Sequence, residues 1–471
     1  MMQRINAKLV ELENNSIYQY LLLAIITLIA GALRFYKLGE WSFWGDEIYT
    51  LRDASHSIPK GPISFMLVHA AVTLLGTSEW SARLAPALVG VVSIPLLYFP
   101  IKKLFGPAVA LVSGLLLAVS PWHLYWSQNA RFYTALLLFY TLALLTFFFG
   151  IEEDRPGYLL ISLLLLGLAT RERVFALFFV PVVLCYLVLL RILPFEKPPG
   201  LRPRNLCLFF LPGLIVALFF ASPFVRQPSR WLAVFGRVNN NPFWIVSGVV
   251  YYVRIPTICM GALGALYLLT KKHRASLLLS LAAVVPLLTT MAISLFHYAA
   301  NRYVFISLTS WIILASLAAM ELLSQTQRSA RILAVGALIF LLLDPLGEDV
   351  LYYKYQNGNR DNWKAAFESV RQQKEVGDLV VAAHPGLGDY YLQEKTISMD
   401  GLDLSRIEGN EGRVWFVEDM NVEELAPQVH DWIEENAQLV ANLDVHAHAR
   451  NFKMRIYLYD PDKLRSNVVS K

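Results

Sequence analysis

Residues 17–50 read IYQYLLLAIITLIAGALRFYKLGEWSFWGDEIYT. The first half, Ile17 to Leu33, is apolar and long enough to cross a bilayer, since a helix rises 1.5 Å per residue and about 17–25 residues span the hydrocarbon. The second half sets Trp41, Trp44 and Tyr49 around two adjacent carboxylates, Asp46 and Glu47. Amphipathic rings settle at headgroup level. Charge beside hydrocarbon is costly and marks function by default. The stretch therefore predicts a membrane helix that emerges onto a surface carrying an acidic pair. The apolar run is longer than a signal-peptide core, and no small-residue cleavage site precedes the Trp-rich segment, so it reads as a retained signal-anchor.

Composition extends this reading to the whole chain. Of 471 residues, 56% are hydrophobic and 16% charged, with a mean hydropathy of +0.46. Those values predict a polytopic α-helical membrane protein. The net charge of +5 is spread over short loops and helix ends, which suits topology and anionic headgroups rather than nucleic acid. Cys185, Cys207 and Cys259 all fall in apolar runs at spacings that suggest neither a metal site nor a disulfide framework.

Taken in order, the apolar segments predict about eleven crossings, ending near Pro345. Met1 to Ser16 should be cytoplasmic, and the plasma (inner) membrane is the expected home. Between the first two crossings, residues 36–83 form an outer loop. Within it Ile63 to Leu75 is too short to span and predicts an interfacial helix. The segment Phe243 to Thr270 is interrupted by Arg254 and Pro256, which predicts a broken span. Lysines favour the predicted inner segments, as the positive-inside rule requires. Arginines do not: Arg34, Arg52, Arg83, Arg131, Arg171, Arg173, Arg226, Arg230, Arg237 and Arg302 fall outside or at outer helix ends. Arg grips phosphate through a planar fork, so an Arg-rich outer face suggests a phosphate ligand there, although snorkelling accounts for several of them.

Beyond residue 346 the pattern turns soluble. Helices near Asp361–Lys374 and Val429–Ala437 alternate with strands at Asp378–Ala383, Arg413–Glu418 and Lys453–Tyr459. They predict a small α/β or α+β domain over residues 347–471, extracytoplasmic because the last crossing exits there. His446 and His448 lack the supporting ligands a metal site needs. The acidic pair remains the sharpest chemical signal. One carboxylate would take a proton from an incoming nucleophile while the other positions it, against the plainer reading of a solvated interfacial pair. Asp53 and Glu79 are weaker candidates in the same segment.

The order of motifs resembles the GT-C class of membrane glycosyltransferases. Asp46-Glu47 after the first membrane helix is followed by a Pro-containing interfacial segment. Gly76-Thr77-Ser78-Glu79-Trp80-Ser81-Ala82-Arg83-Leu84 comes next, then a helix ending Lys102-Lys103-Leu104-Phe105-Gly106. Ser120-Pro121 through Gln128-Asn129-Ala130-Arg131-Phe132-Tyr133 looks like a second block, and Asn301-Arg302-Tyr303 like a third. Asp361-Asn362-Trp363 and Gly377-Asp378-Leu379 match the region beyond the membrane part in such proteins. The groups most resembled are bacterial relatives of the dolichyl-phosphate-mannose protein mannosyltransferases and of the lipid A aminoarabinose transferase. Two departures stand out. Pro59-Lys60-Gly61-Pro62 replaces a frequent His-Pro-Pro or Glu-Lys-Pro, and Asn129 replaces the Glu of Gln-Glu-Ala-Arg.

The resemblance implies a sugar donor on polyprenyl or dolichyl monophosphate and an acceptor hydroxyl on a lipid, glycan or protein. It implies inverting transfer at the outer face, with Asp46 as general base and Glu47 in support. Lys60, Arg131 and Arg302 are the implied donor-phosphate ligands, with Tyr133, His297 and Tyr303 as substrate contacts. No cofactor is called for, and a divalent metal has no support in the sequence. A transporter or flippase of lipid-linked glycans is the alternative; it predicts internal repeats and midplane charges, which the sequence does not show. A non-catalytic assembly subunit is a third reading.

Overall fold

The computed structural model describes residues 15–55, 61–226, 241–447 and 451–462. Lys60, Arg230, Arg237 and His448 lie outside the described residues. Contacts divide the chain into two compact units. The first comprises residues 1–36, 59–67 and 85–348; the second comprises 37–58, 68–84 and 349–471. Much of the outer loop thus packs as one body with the C-terminal residues.

Helices cover every predicted apolar segment. In chain order they begin with α1 (Ser16–Phe35), α2 (Gly45–Ser55), α3 (Ile63–Leu75), α4 (Glu79–Ala118) and α5 (Pro121–Ser127). Next come α6 (Tyr133–Glu152), α7 (Pro156–Glu172), a 3-10 turn Val174–Phe178, α8 (Phe179–Ile192) and α9 (Pro203–Arg226). Then come α10 (Pro242–Val253), α11 (Ile255–Thr270), α12 (Arg274–Ser294), a second 3-10 turn Asn301–Ser307, α13 (Leu308–Ser324) and α14 (Arg328–Lys354). The short helix expected at Ile63 to Leu75 is present as α3. Among the described residues seven helices are long and apolar enough to span, or eight if the bent pair α10–α11 counts as one crossing. Two predicted crossings, 84–101 and 107–119, lie within α4 as two helical segments that meet at a kink at Gly106, whose φ of +84 glycine adopts without a Cβ clash.

In the first unit polar side chains close the helix ends. Arg34 is fully buried and donates to the carbonyls of Leu117 and Ala118 at the end of α4, and its Nη2 lies 2.7 Å from His123 Nδ1. Those are the orphan carbonyls of a helix C-terminus, and a guanidinium there satisfies both hydrogen bonds and dipole. Three consecutive acids on the α6–α7 turn each draw a base from a different segment. Glu152 is gripped in bidentate fashion by Arg274, Glu153 pairs with Lys103, and Asp154 pairs with Arg202. The break expected near Arg254 is a 94° bend between α10 and α11. Arg254 has φ +75 and caps the bend, holding Asp344 through two contacts of 2.7 and 2.9 Å and Glu348 at 3.3 Å.

The second unit adds α15 (Trp363–Gln373), β1 (Leu379–Ala382), α16 (Pro385–Leu392), β2 (Ile397–Ser398), α17 (Leu404–Glu408) and β3 (Val414–Asp419). The chain continues through α18 (Val422–Leu425), α19 (Pro427–Asn436), β4 (Gln438–Asn442), β5 (Val445–His446), β6 (Asn451–Phe452) and β7 (Met454–Tyr459). The sheet order is β2-β1-β3-β7-β4, with β2, β1 and β3 parallel and β7 antiparallel to both β3 and β4. All six residues of β3 are buried, as expected of a central strand covered on both faces. Helix α15 buries Trp363, Ala366, Phe367 and Val370, the i, i+3, i+4, i+7 stripe of an amphipathic helix.

Candidate functional site

In the second unit the acidic pair opens helix α2, with Asp46 and Glu47 both in its first turn. Glu47 is fully buried and accepts from Arg83 Nε and Nη2, both at 2.8 Å. Arg360 Nη1 adds a contact of 3.2 Å, and the Trp44 amide donates to Glu47 Oε2 at 3.4 Å, half of a capping box. Arg83 spends its remaining donors on the carbonyls of Leu38, Trp41 and Ser42. One carboxylate and two buried guanidinium groups therefore fix the loop 38–44 and the start of α2. A buried carboxylate survives as an anion only when paired this closely. Asp46 follows Gly45 on the same turn but is partly exposed. Of the two acids, Glu47 is the buried clamp and Asp46 is the partly exposed one.

Helix α16 packs against this turn. Tyr391 accepts the mainchain N–H of Phe43 at 2.8 Å and donates to Glu79 at 2.8 Å. Burial and the Glu79 carboxylate push the Tyr391 phenol far above its ordinary range, so it stays a donor. Glu79 is thus engaged in positioning, and Asp53 is exposed beside Arg52. His384 lies against Gly45: a Cβ on that glycine would sit 3.3 Å from the imidazole Cε1. Among the described residues no group of three or more His, Cys, Asp or Glu is arranged to hold a metal ion.

The first unit holds a cavity of about 790 Å³. Its wall includes Arg171, Glu172 and Arg173 from the end of α7, Phe175 and Phe178 from the first 3-10 turn, and His297, Tyr298 and Tyr303. Two residues singled out from the sequence, His297 and Tyr303, thus line one space. Tyr303 stacks on Phe175 with centroids 3.8 Å apart. Arg131 lies 5.1 Å from the Phe132 ring centroid and Arg173 lies 5.3 Å from the same ring, so the two guanidinium groups share one aromatic face system. Arg302 opens the second 3-10 turn, half-buried, one residue before Tyr303. Tyr133 is buried in an aromatic cluster with Trp126 and Phe305.

Glu172 was not singled out by sequence reasoning. Its carboxylate takes the Ser64 amide at 3.0 Å and the Ser64 hydroxyl at 2.6 Å, holding the first turn of α3 beside the cavity. Arg171 and Arg173 were read only as part of the outer arginine set. The signal was present: a charged triplet that closes an apolar helix. Arg360, in the second unit, gave no comparable signal, because its partner Glu47 is 313 residues away in the chain.

Comparison with solved structures decides the fold class. ArnT from Cupriavidus metallidurans bound to undecaprenyl phosphate superposes with a TM-score of 0.59, covering 94% of this chain and 98% of that one at 14% identity. The fold is that of the GT-C class of membrane glycosyltransferases. The chain is accordingly a multi-pass membrane protein. The archaeal oligosaccharyltransferase AglB from Archaeoglobus fulgidus, in complex with an inhibitory peptide and a dolichol-phosphate, matches at TM-score 0.56 and 14% identity, over 93% of this chain and 74% of that one. A family model described as dolichyl-phosphate-mannose-protein mannosyltransferase matches residues 59–226 of this chain. A dolichyl-phosphooligosaccharide-protein glycotransferase 2 from Pyrococcus furiosus is 33% identical over 107 residues. That match spans 22% of this chain and 14% of the relative's length.

Proposed function

We propose that the protein transfers a sugar from a polyprenyl- or dolichyl-phosphate carrier to an acceptor hydroxyl at the extracytoplasmic membrane face, with inversion and with Asp46 as general base. The observation that carries this reading is the division of labour in the acidic pair. Glu47 is sequestered by Arg83 and Arg360, while Asp46 sits partly exposed on a turn those contacts make rigid. A catalytic carboxylate needs such a fixed support to hold near-attack geometry.

The leaving group is already a phosphate, so its charge requires stabilisation rather than a proton. The cavity suits such a carrier. Arg171 and Arg173 offer cationic forks, and Phe175, Leu177, Phe178 and Pro181 offer an apolar wall for an isoprenoid. In this proposal Arg171 and Arg173 join the residues expected from the sequence, Lys60, Arg131 and Arg302, as donor-phosphate ligands. Tyr133, His297 and Tyr303 remain proposed substrate contacts. The lipid carriers named for the ArnT and AglB structures support the donor class.

The test is the acceptor-dependent release of undecaprenyl phosphate from undecaprenyl-phosphate monosaccharides by purified protein in nanodiscs supplied with lipid, glycan or peptide hydroxyl acceptors. Asp46→Asn should lose at least about a hundredfold in kcat, as expected for removal of a general base, with donor KM little changed. Arg173→Ala should instead raise donor KM. Asp46→Asn with wild-type turnover removes the base assignment.

A further inference from the structure

Arg171, Glu172 and Arg173 are consecutive at the end of α7, and all three line the same cavity. A carboxylate set between two guanidinium groups would ordinarily pair with one of them, removing a positive charge from what the cavity offers an anion. Here it does not. Glu172 is buried, whereas Arg171 and Arg173 are exposed. The Glu172 carboxylate is turned onto Ser64. Its Oε1 and Oε2 accept the Ser64 backbone amide at 3.0 and 3.3 Å, and Oε2 accepts the Ser64 hydroxyl at 2.6 Å. Arg171 acts on this carboxylate electrostatically, but neither arginine side chain makes a hydrogen bond or an ion pair among the described residues.

The anchor is chemically well chosen. Ser64 is the second residue of α3, so its amide is one of the orphan donors of a helix N-terminus. A carboxylate is favoured there by hydrogen bonding and by the helix dipole together. The hydroxyl adds a second donor that an apolar residue could not supply. Just before α3, Gly61 and Pro62 form part of the cavity wall. In its first turn Phe65 is buried, with its ring centroid 6.3 Å from that of Phe132. The Glu172 contacts therefore hold a piece of that wall in place. Arg173 is restrained by different means. Its guanidinium lies 5.3 Å from the Phe132 centroid and 5.9 Å from that of Phe175. A ring contact engages the face of a guanidinium and leaves its N–H groups for another acceptor.

We propose that Glu172 is a positioning residue for the carrier: by bonding to Ser64 it keeps its charge off Arg171 and Arg173 and leaves both guanidinium forks to the phosphate. The proposal rests on the carrier site described above. A phosphate presents pairs of oxygens that match the planar fork, so each arginine kept out of an ion pair adds a charge-assisted contact. The Glu172 charge still opposes the phosphate at longer range. Removing that charge while keeping the Ser64 contacts should therefore strengthen binding, whereas removing a Ser64 contact while keeping the charge should weaken it.

The experiment uses the full-length protein in nanodiscs and measures the Kd of undecaprenyl phosphate and, separately, acceptor-dependent turnover of undecaprenyl-phosphate monosaccharides. Ser64→Ala removes the hydroxyl donor and lets Glu172 turn toward the arginines. Its Kd should rise about fivefold or more, and donor KM with it, while kcat changes little. Glu172→Gln still accepts from Ser64 but carries no charge, and should lower Kd about twofold. The decisive variant is the double substitution Ser64→Ala with Glu172→Gln. It should return Kd to the wild-type value or below, because the released side chain can no longer neutralise an arginine. A double variant that binds as weakly as Ser64→Ala overturns the proposal and marks the Ser64 contact as a structural support alone. A wild-type Kd in Ser64→Ala, or weakened binding in Glu172→Gln, overturns it as well. Binding and turnover separate the two readings. If the Kd pattern holds and no acceptor supports turnover, the transferase reading falls and the positioning role stands; if turnover is present and the Kd pattern fails, only the positioning role falls.

Discussion

Arg83→Met is the perturbation that most directly probes the clamp on α2. The guanidinium is fully buried and makes five hydrogen bonds, two to Glu47 at 2.8 Å and one each to the carbonyls of Leu38, Trp41 and Ser42 at 3.1, 3.0 and 2.8 Å. Methionine fills much of the volume but supplies none of these donors. Removing one member of a buried ion pair typically costs about 3–5 kcal/mol, because the surviving charge stays buried. Glu47 would keep Arg360 at 3.2 Å, and water could reach some of the carbonyls, so the lower half of that range is expected. At about 1.4 kcal/mol per tenfold, opening of the turn becomes about a hundredfold more frequent or greater. Hydrogen exchange of the amides of residues 43–50 in the purified full-length protein measures this directly. Arg83→Lys retains the charge but not the fork, and should fall between the two. Exchange in Arg83→Met within about fivefold of wild type would refute the clamp, and with it the physical basis for singling out Asp46.

Other sites give three further outcomes. Burial raises the Glu418 carboxyl to about 7, against the opposing pull of His430 at 3.1 Å, with Glu434, Arg455 and Tyr457 nearby. Its folded-state value exceeds its unfolded one, so the folded protein holds the extra proton and the domain loses stability as pH rises from about 4.5 to 7. Glu418→Gln should flatten that dependence, read as exchange of β3 and β7 amides against pH. At the α10–α11 bend, Arg254 holds φ +75 in a conformation costly for any side-chain-bearing residue. Arg254→Gly should therefore be less destabilising than Arg254→Ala by about 1 kcal/mol in thermal or denaturant unfolding, although both lose the Asp344 and Glu348 pairs. Equal losses would show that the strain is absent. A Cβ on Gly264 would lie 2.2 Å from the Leu314 carbonyl oxygen, which cannot rotate away. Gly264→Ala should force α11 and α13 apart at about 1–3 kcal/mol, visible as a lower melting temperature.

The sequence by itself determined the membrane character, the placement of the apolar helices and the secondary structure of most of the tail. These rest on local quantities: the length of an apolar run, the 3.6-residue or two-residue period, and breakers such as Gly106 and Arg254-Pro256. It also named the acidic pair, because two carboxylates beside a membrane helix stand out without any partner. What it could not supply was the difference between the two acids. Asp46 and Glu47 are adjacent and chemically alike, and their roles separate only through Arg83 and Arg360, which lie 36 and 313 residues from Glu47. The same limit hid Glu172, whose purpose is visible only once Ser64 arrives 108 residues from it. Periodicity and hydropathy are sums over nearby residues, so they fix elements. Burial and ion pairing depend on which distant elements pack together, so only the tertiary structure decided which carboxylate is locked away and which stays partly exposed.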